Sequence, residues 1–165
     1  MLLEKERAPL ERLREIGLFG GLSDEVLETF VAALPVIEVG PGQNIFKEGD
    51  AGRELFVLLD GEVEILRCSK RGHETRMAIL GPGDWFGEMS VLDVLPRSAT
   101  TRAVAPTRLI RFTAHDLDTL YRRDIRSYAL VVLNISREIS RRLRVADGLL
   151  ADVVSNMMDH YGRKP

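Results

Sequence analysis

Between Pro9 and Leu34 apolar residues recur at steps of three and four, at Leu10, Leu13, Ile16 and then Val26, Leu27, Phe30, Val31 and Leu34. That spacing keeps them on one face of a helix. Ser23, ahead of Glu25 and Val26, is a fitting cap for the second helix. From Val36 to Phe112 the pattern changes to short runs rich in Val, Ile and Phe: Ile45-Phe46, Leu55 to Leu59, Val63 to Leu66, Met77 to Leu80 and Ala103 to Phe112. Gly, Pro and Asp punctuate these runs at intervals of about ten residues, which indicates a β-sandwich or barrel. The expected architecture is mainly β with α: an eight-stranded jelly-roll β-barrel flanked by N-terminal helices and a long C-terminal helix. Gly40, Gly42, Gly49 and Gly61 are read as turn residues.

Helical spacing returns from Ala114 to about His160, with one break near Arg123-Asp124. Ile135, Ile139, Leu143, Ala146, Leu150, Val153 and Met157 follow steps of 4, 4, 3, 4, 3 and 4, close to a coiled-coil seam. A homodimer through this helix is therefore expected. Leu149, Val154 and Met158 widen the stripe, so that one side can lie on the barrel while the other pairs between subunits. Gly148 marks either a close helix crossing or a break.

A hydrophobic fraction of 45% with 29% charged residues in a chain of 165 is ordinary for a globular protein, and the formal net charge of −2 argues against a protein that coats itself in nucleic acid. Arg137, Arg141, Arg142 and Arg144 are interleaved with Glu138, Asp147 and Asp152 and read as a solvated helix face. The single cysteine, Cys68, is read as a half-buried strand residue in a reducing compartment. No uncharged apolar run approaches the roughly 20 residues that span a bilayer, and the charged N-terminus lacks a secretory apolar core, so a cytoplasmic location is expected.

The segment Phe86-Gly87-Glu88-Met89-Ser90-Val91-Leu92-Asp93-Val94-Leu95-Pro96-Arg97-Ser98-Ala99-Thr100 carries the chemistry. Gly87 permits a sharp turn that brings main-chain N–H groups at the start of the Glu88–Leu92 turn close to an anion. Glu88 can accept hydrogen bonds from a sugar hydroxyl. Arg97 offers a planar donor fork that fits two phosphate oxygens. Ser98 and Thr100 add hydroxyls at the start of the next expected strand, Ala99 to Ala105.

The same segment resembles the phosphate-binding cassette of the cyclic-nucleotide-binding domain family, whose pattern is F-G-E, a short apolar helix, then P-R-[ST or A]-A-T. Ile16-Gly17-Leu18-Phe19 with Leu22-Ser23, Gly40, Gly49-Asp50, Leu55 to Leu58, Gly61 and Gly81-Pro82-Gly83-Asp84 fall in the family's order, so that the resemblance covers about Glu15 to Arg142. It implies phosphate and ribose contacts from Phe86, Gly87, Glu88, Met89, Ser90, Arg97, Ser98 and Ala99. It also places Arg142, Ala146 and Asp147 where activator-type relatives bring a helix over the purine. Those relatives carry hydroxyl residues at the last two positions, and a carboxylate at Asp147 can accept from the N1–H and N2–H₂ edge of guanine. The resemblance implies a cyclic nucleotide as the ligand, and because family members with a small hydroxyl at the Ser98 position still take adenine, cyclic AMP is somewhat favoured over cyclic GMP.

The domain reading is an extension at 1–14, a cyclic-nucleotide-binding roll with flanking helices at 15–125, and a lid or dimerisation helix with its tail at 126–165. Signalling by movement of the C-terminal helices to a downstream protein is the expected function. The alternatives are an activator-type transcription regulator lacking its helix-turn-helix module, since the sequence stops at Pro165, or a dimerisation module without ligand. His73, His115 and His160 lie far apart and form no His-x-His motif, and no nucleophile elbow is present. Neither an enzyme, a metal site nor a cofactor is expected, and neither nucleic acid nor membrane is an expected direct partner.

Overall fold

The computed structural model describes residues 8–162. Two four-stranded antiparallel sheets face each other, with strand orders β1-β8-β3-β6 and β2-β7-β4-β5. The strands are β1 (Val36–Val39), β2 (Asn44–Phe46), β3 (Glu54–Asp60), β4 (Val63–Cys68), β5 (Glu74–Leu80), β6 (Trp85–Phe86), β7 (Thr100–Ala103) and β8 (Thr107–Thr113). Helices α1 (Leu10–Glu15) and α2 (Asp24–Thr29) precede the roll, α3 (Met89–Leu92) interrupts it, and α4 (Ala114–Arg123) and α5 (Ile125–Gly162) follow. The arrangement is the expected jelly-roll-like one.

The unbroken apolar run Leu55 to Leu59 reflects burial on both faces of β3. Leu55, Val57 and Leu59 join Ile110 and Phe112 of β8 in a core shared with the helices, which contribute Leu13, Leu27, Leu117, Leu120, Val131 and Ile135. Phe56 and Leu58 point the other way, into the roll, with Val63, Phe86 and Leu109. Such a run is what a strand sandwiched between two apolar layers requires. Because α5 is part of the first core, its position is tied to that of β3.

Ser23 caps α2, its Oγ accepting from the Val26 N–H at 3.4 Å. The helical break falls at Asp124, whose extended backbone separates α4 from α5. Asn134, buried on α5, donates to the carbonyls of Leu18 and Gly20 at 3.1 and 3.0 Å and so pins the entry segment to the long helix.

Several expectations need correcting. The run Ala103 to Phe112 is two strands, because the turn at 104–106 ends β7 and starts β8; β7 accordingly ends at Ala103 rather than Ala105. Cys68 closes β4 and is exposed rather than half-buried. Gly42, Gly49 and Gly61 adopt positive φ, whereas Gly40 does not; its turn is closed by its N–H donating to the Gln43 side chain at 2.9 Å. On α5, Ile135 is fully buried and Ile139 partly so, but Leu143, Leu149, Leu150, Val153, Val154, Met157 and Met158 are all exposed. Among the described residues, every position of the helix from 143 to 159 is exposed, so the extra apolar positions widen a free stripe instead. Helix α5 runs through Gly148, which has no neighbour within 4 Å of a Cβ built there.

Candidate functional site

The cassette starts where β6 ends. Gly87 takes φ 84°, a left-handed conformation that turns the chain from β6 into α3. A Cβ here would stand 2.8 Å from Arg97 Nη1 and 2.9 Å from the Glu54 carbonyl, so that glycine is also required by close packing. On the far side of α3, Val94 adopts φ 59°, an unusual value for a β-branched residue. The chain then returns through Pro96 to Arg97, whose main chain is clamped to the loop before β3: its N–H donates to the Asp50 carbonyl at 2.8 Å, and its carbonyl accepts from Gly49 N–H at 2.9 Å. Thr100 supports the same loop by accepting from the Glu48 N–H at 2.9 Å.

The Arg97 side chain is only 3% exposed. Its Nη1 donates to the carbonyls of Glu54 (2.7 Å) and Gly87 (3.1 Å) and approaches Ser90 Oγ at 3.5 Å. Nη2 donates to Glu54 Oε2 at 3.2 Å, while Nε is buried and has no hydrogen-bond partner among the described residues. The guanidinium lies 4.0 Å from the centroid of the Phe46 ring, within cation–π range, and is backed by Gly52, where any Cβ would overlap it. Burial pulls the Arg97 pKa down, and the nearby acids, Glu54 first, pull it back up. A buried cation with one unpaired N–H, packed against glycines that put no side chain over it, is an arrangement suited to an anion.

Glu88 is also buried, at 4% exposure. Its Oε1 receives Arg142 Nη1 at 3.0 Å, and Arg142 Nη2 donates to the Trp85 carbonyl at 2.8 Å. Glu138, one helical turn earlier, accepts from Arg142 Nε at 2.8 Å and from Arg141. The long helix is therefore latched to the cassette through the carboxylate expected to hold a sugar hydroxyl. Burial raises the Glu88 pKa above its ordinary value, opposed by the Arg142 charge. Glu138 is lowered by its bonds to Arg141 and Arg142.

Phe86 is buried and stacks on Phe56 with centroids 5.6 Å apart, which anchors the start of the cassette in the roll. Ser90 and Ala99 are buried, whereas Met89 is exposed and Ser98 Oγ lies 3.7 Å from its sulfur. Beside Glu54 and Phe56 a cavity of about 550 Å³ opens, lined by Ile37, Val39 and Ile45 among others. A buried guanidinium and a buried carboxylate thus share the cassette, and Glu54, which holds the first, also lines a cavity of mixed polar and apolar character with Gln43, Asn44 and Arg111. The family model for the cyclic nucleotide-binding domain matches residues 36–124.

The chain belongs to the cyclic nucleotide-binding domain family. It is 38% identical to the Cyclic AMP receptor protein of Thermus thermophilus over 130 residues, which is 79% of this chain and 58% of that one. It is 30% identical to the CRP-like cAMP-activated global transcriptional regulator of Mycobacterium tuberculosis over 144 residues, 87% of this chain and 62% of that one. The chain thus spans about three fifths of the length of these relatives. Among solved structures, a cyclic nucleotide-binding domain from Methylobacillus flagellatus superposes with a TM-score of 0.80 at 26% identity, covering 87% of this chain and 83% of that one.

In this cyclic nucleotide-binding domain, eight of the expected site residues lie in the one cassette, and Arg142 reaches it from α5. Arg142 is thus a latch and not part of a solvated arginine face. Ala146 and Asp147, one turn further along, are exposed. Sequence reasoning did not single out Glu54, Gly52, Phe46 or Glu138. Gly49-Asp50-Ala51-Gly52 directly before an apolar strand is the signal that marks the Arg97-facing loop, but nothing local marks Glu54 as the guanidinium's partner.

Proposed function

We propose that this domain binds a 3',5'-cyclic nucleotide, cyclic AMP ahead of cyclic GMP, and signals occupancy through α5. The observation that carries this reading is Arg97, buried between Gly52 and Gly87 with its Nε unpaired, next to the buried carboxylate of Glu88. A ring phosphodiester supplies the missing acceptor for Nε, and the ribose 2'-hydroxyl donates to Glu88. That hydroxyl competes with Arg142 for the same carboxylate, so ligand and helix latch are coupled, and the nucleotide shifts the population of α5 positions in proportion to its differential contacts. Adenine is favoured because both of these relatives are named for cyclic AMP and Asp147, the residue suited to guanine, is exposed. The apolar stripe Leu143–Met158 on α5 is exposed along its whole length and supports pairing with a second copy, leaving downstream protein contacts to the moved helices.

Calorimetric titration with cyclic AMP and cyclic GMP, alongside mass spectrometry of small molecules released on denaturation, tests this proposal. Binding of cyclic AMP tighter than cyclic GMP is expected. Absence of heat with both, and of any released nucleotide, overturns it.

A further inference from the structure

The charge that fits a phosphodiester already has an occupant. Of the two edges of the Arg97 guanidinium, the one containing Nη1 faces main-chain carbonyls of Glu54 and Gly87. What remains for an incoming anion is the Nε–Nη2 edge, and there Glu54 Oε2 sits 3.2 Å from Nη2 while Nε is left unpaired. The Glu54 carboxylate therefore makes only half of the two-point contact that this edge can offer.

The fork is held so that it cannot move aside. Gly52 backs it, the Phe46 ring lies 4.0 Å away, and its own backbone is clamped to Gly49 and Asp50. Glu54, by contrast, has a side chain 36% exposed at the first position of β3, so that it can rotate into water without stranding a buried charge. Its main-chain carbonyl continues to hold Nη1 whichever way the side chain turns. The carboxylate is the movable partner and the guanidinium the fixed one.

We infer that Glu54 is an internal guard of the phosphate seat: its carboxylate occupies Nη2 of Arg97 when no ligand is present and must be displaced by the phosphodiester, which sets the affinity of the site below what Arg97 alone would give. This inference rests on the cyclic-nucleotide reading and names a residue that tunes that same site. The exchange is feasible because the phosphodiester takes both Nε and Nη2, replacing one charge-assisted hydrogen bond with two, while the freed carboxylate is rehydrated.

The experiment is calorimetric titration of the full chain and of Glu54→Gln and Glu54→Asp with cyclic AMP and cyclic GMP. Glu54→Gln keeps the shape and removes the charge; Glu54→Asp keeps the charge but withdraws it from Nη2 by one methylene. Both variants are expected to bind about three- to tenfold tighter than the parent chain, a gain sized by a partly exposed ion pair. Unchanged or weaker binding by Glu54→Gln overturns the guard. So does a tighter Glu54→Gln with Glu54→Asp at the parental affinity, which would mean that only the general field of the acid matters. If no form binds either nucleotide, the functional proposal fails, and the guard is judged without ligand by nitrogen-15 NMR of the Arg97 guanidinium. Slower rotation about its Cζ–Nη2 bond in the parent than in Glu54→Gln supports the contact, and equal rotation overturns it.

Discussion

Arg142 of α5 grips Glu88 of the cassette, Nη1 to Oε1 at 3.0 Å, across 54 residues of sequence. The carboxylate is buried while the arginine side chain is 37% exposed, so the pair joins the buried cassette to the solvent-facing side of α5. Replacing Arg142 with alanine strands the Glu88 charge. A fully buried pair loses more, but with one partner half in water the expected cost is about 1–3 kcal/mol, read as a lower urea midpoint. In the double variant with Glu88→Gln most of that loss returns, because no charge remains to be stranded.

The same carboxylate makes stability pH-dependent in a stated direction. Burial raises the Glu88 pKa above its ordinary 4.5. A raised acid contributes stability that is fully present below 4.5 and is lost as pH rises through the folded value. Glu138 is depressed, so its contribution is present above 4.5 and is lost as pH falls through its own lower value. On acidification Glu88 thus becomes neutral before Glu138 does. Urea titrations across pH should show the first component in the parent chain and not in Glu88→Gln; parallel profiles would contradict it.

Removing the Arg97 guanidinium should abolish most of the affinity for a cyclic nucleotide. Two charge-assisted hydrogen bonds to the phosphate are lost, and Arg97→Ala is expected to weaken cyclic AMP binding by about a hundredfold, measured by calorimetry. Retained affinity would place the phosphate elsewhere.

Gly87 and Gly42 form an internal control. Both have positive φ, but a Cβ at Gly87 meets Arg97 and the Glu54 carbonyl, whereas one at Gly42 meets nothing within 4 Å. Gly42→Ala should cost about 1 kcal/mol from backbone strain alone. Gly87→Ala should cost more in thermal unfolding and, by displacing Arg97, should also weaken nucleotide binding.

The exposed stripe of α5 predicts that an acid in its middle disrupts self-association. Leu150, 61% exposed in the single chain, is the chosen position. Sedimentation velocity should report a dimer for the parent and a monomer for Leu150→Asp. A monomeric parent would leave the stripe to another partner.

The cassette was legible because its requirements are local: a glycine where φ must be positive, a carboxylate beside it, and an arginine between a proline and a small residue lie within fifteen positions. The helices, the break at Asp124 and the alternation of strands and turns were legible for the same reason, since periodicity is a property of neighbouring residues. The division of Ala103 to Phe112 into two strands was not, because a turn at 104–106 is imposed by pairing of β7 with β4 and of β8 with β1 and β3. Nor could spacing show that the seam on α5 changes character at Arg142; the same apolar period serves the protein's own core at Ile135 and open surface at Leu150.

Sequence alone therefore determined which residues have the chemistry for a phosphate ester and the order of elements that carries them. Only the tertiary structure decided which opposite charges those residues meet: Arg97 against Glu54, 43 positions away, and Glu88 against Arg142, 54 positions away. The physical reason is that a charge withdrawn from water takes whichever opposite charge the fold delivers to it, and that delivery depends on how β3, the cassette and α5 pack together.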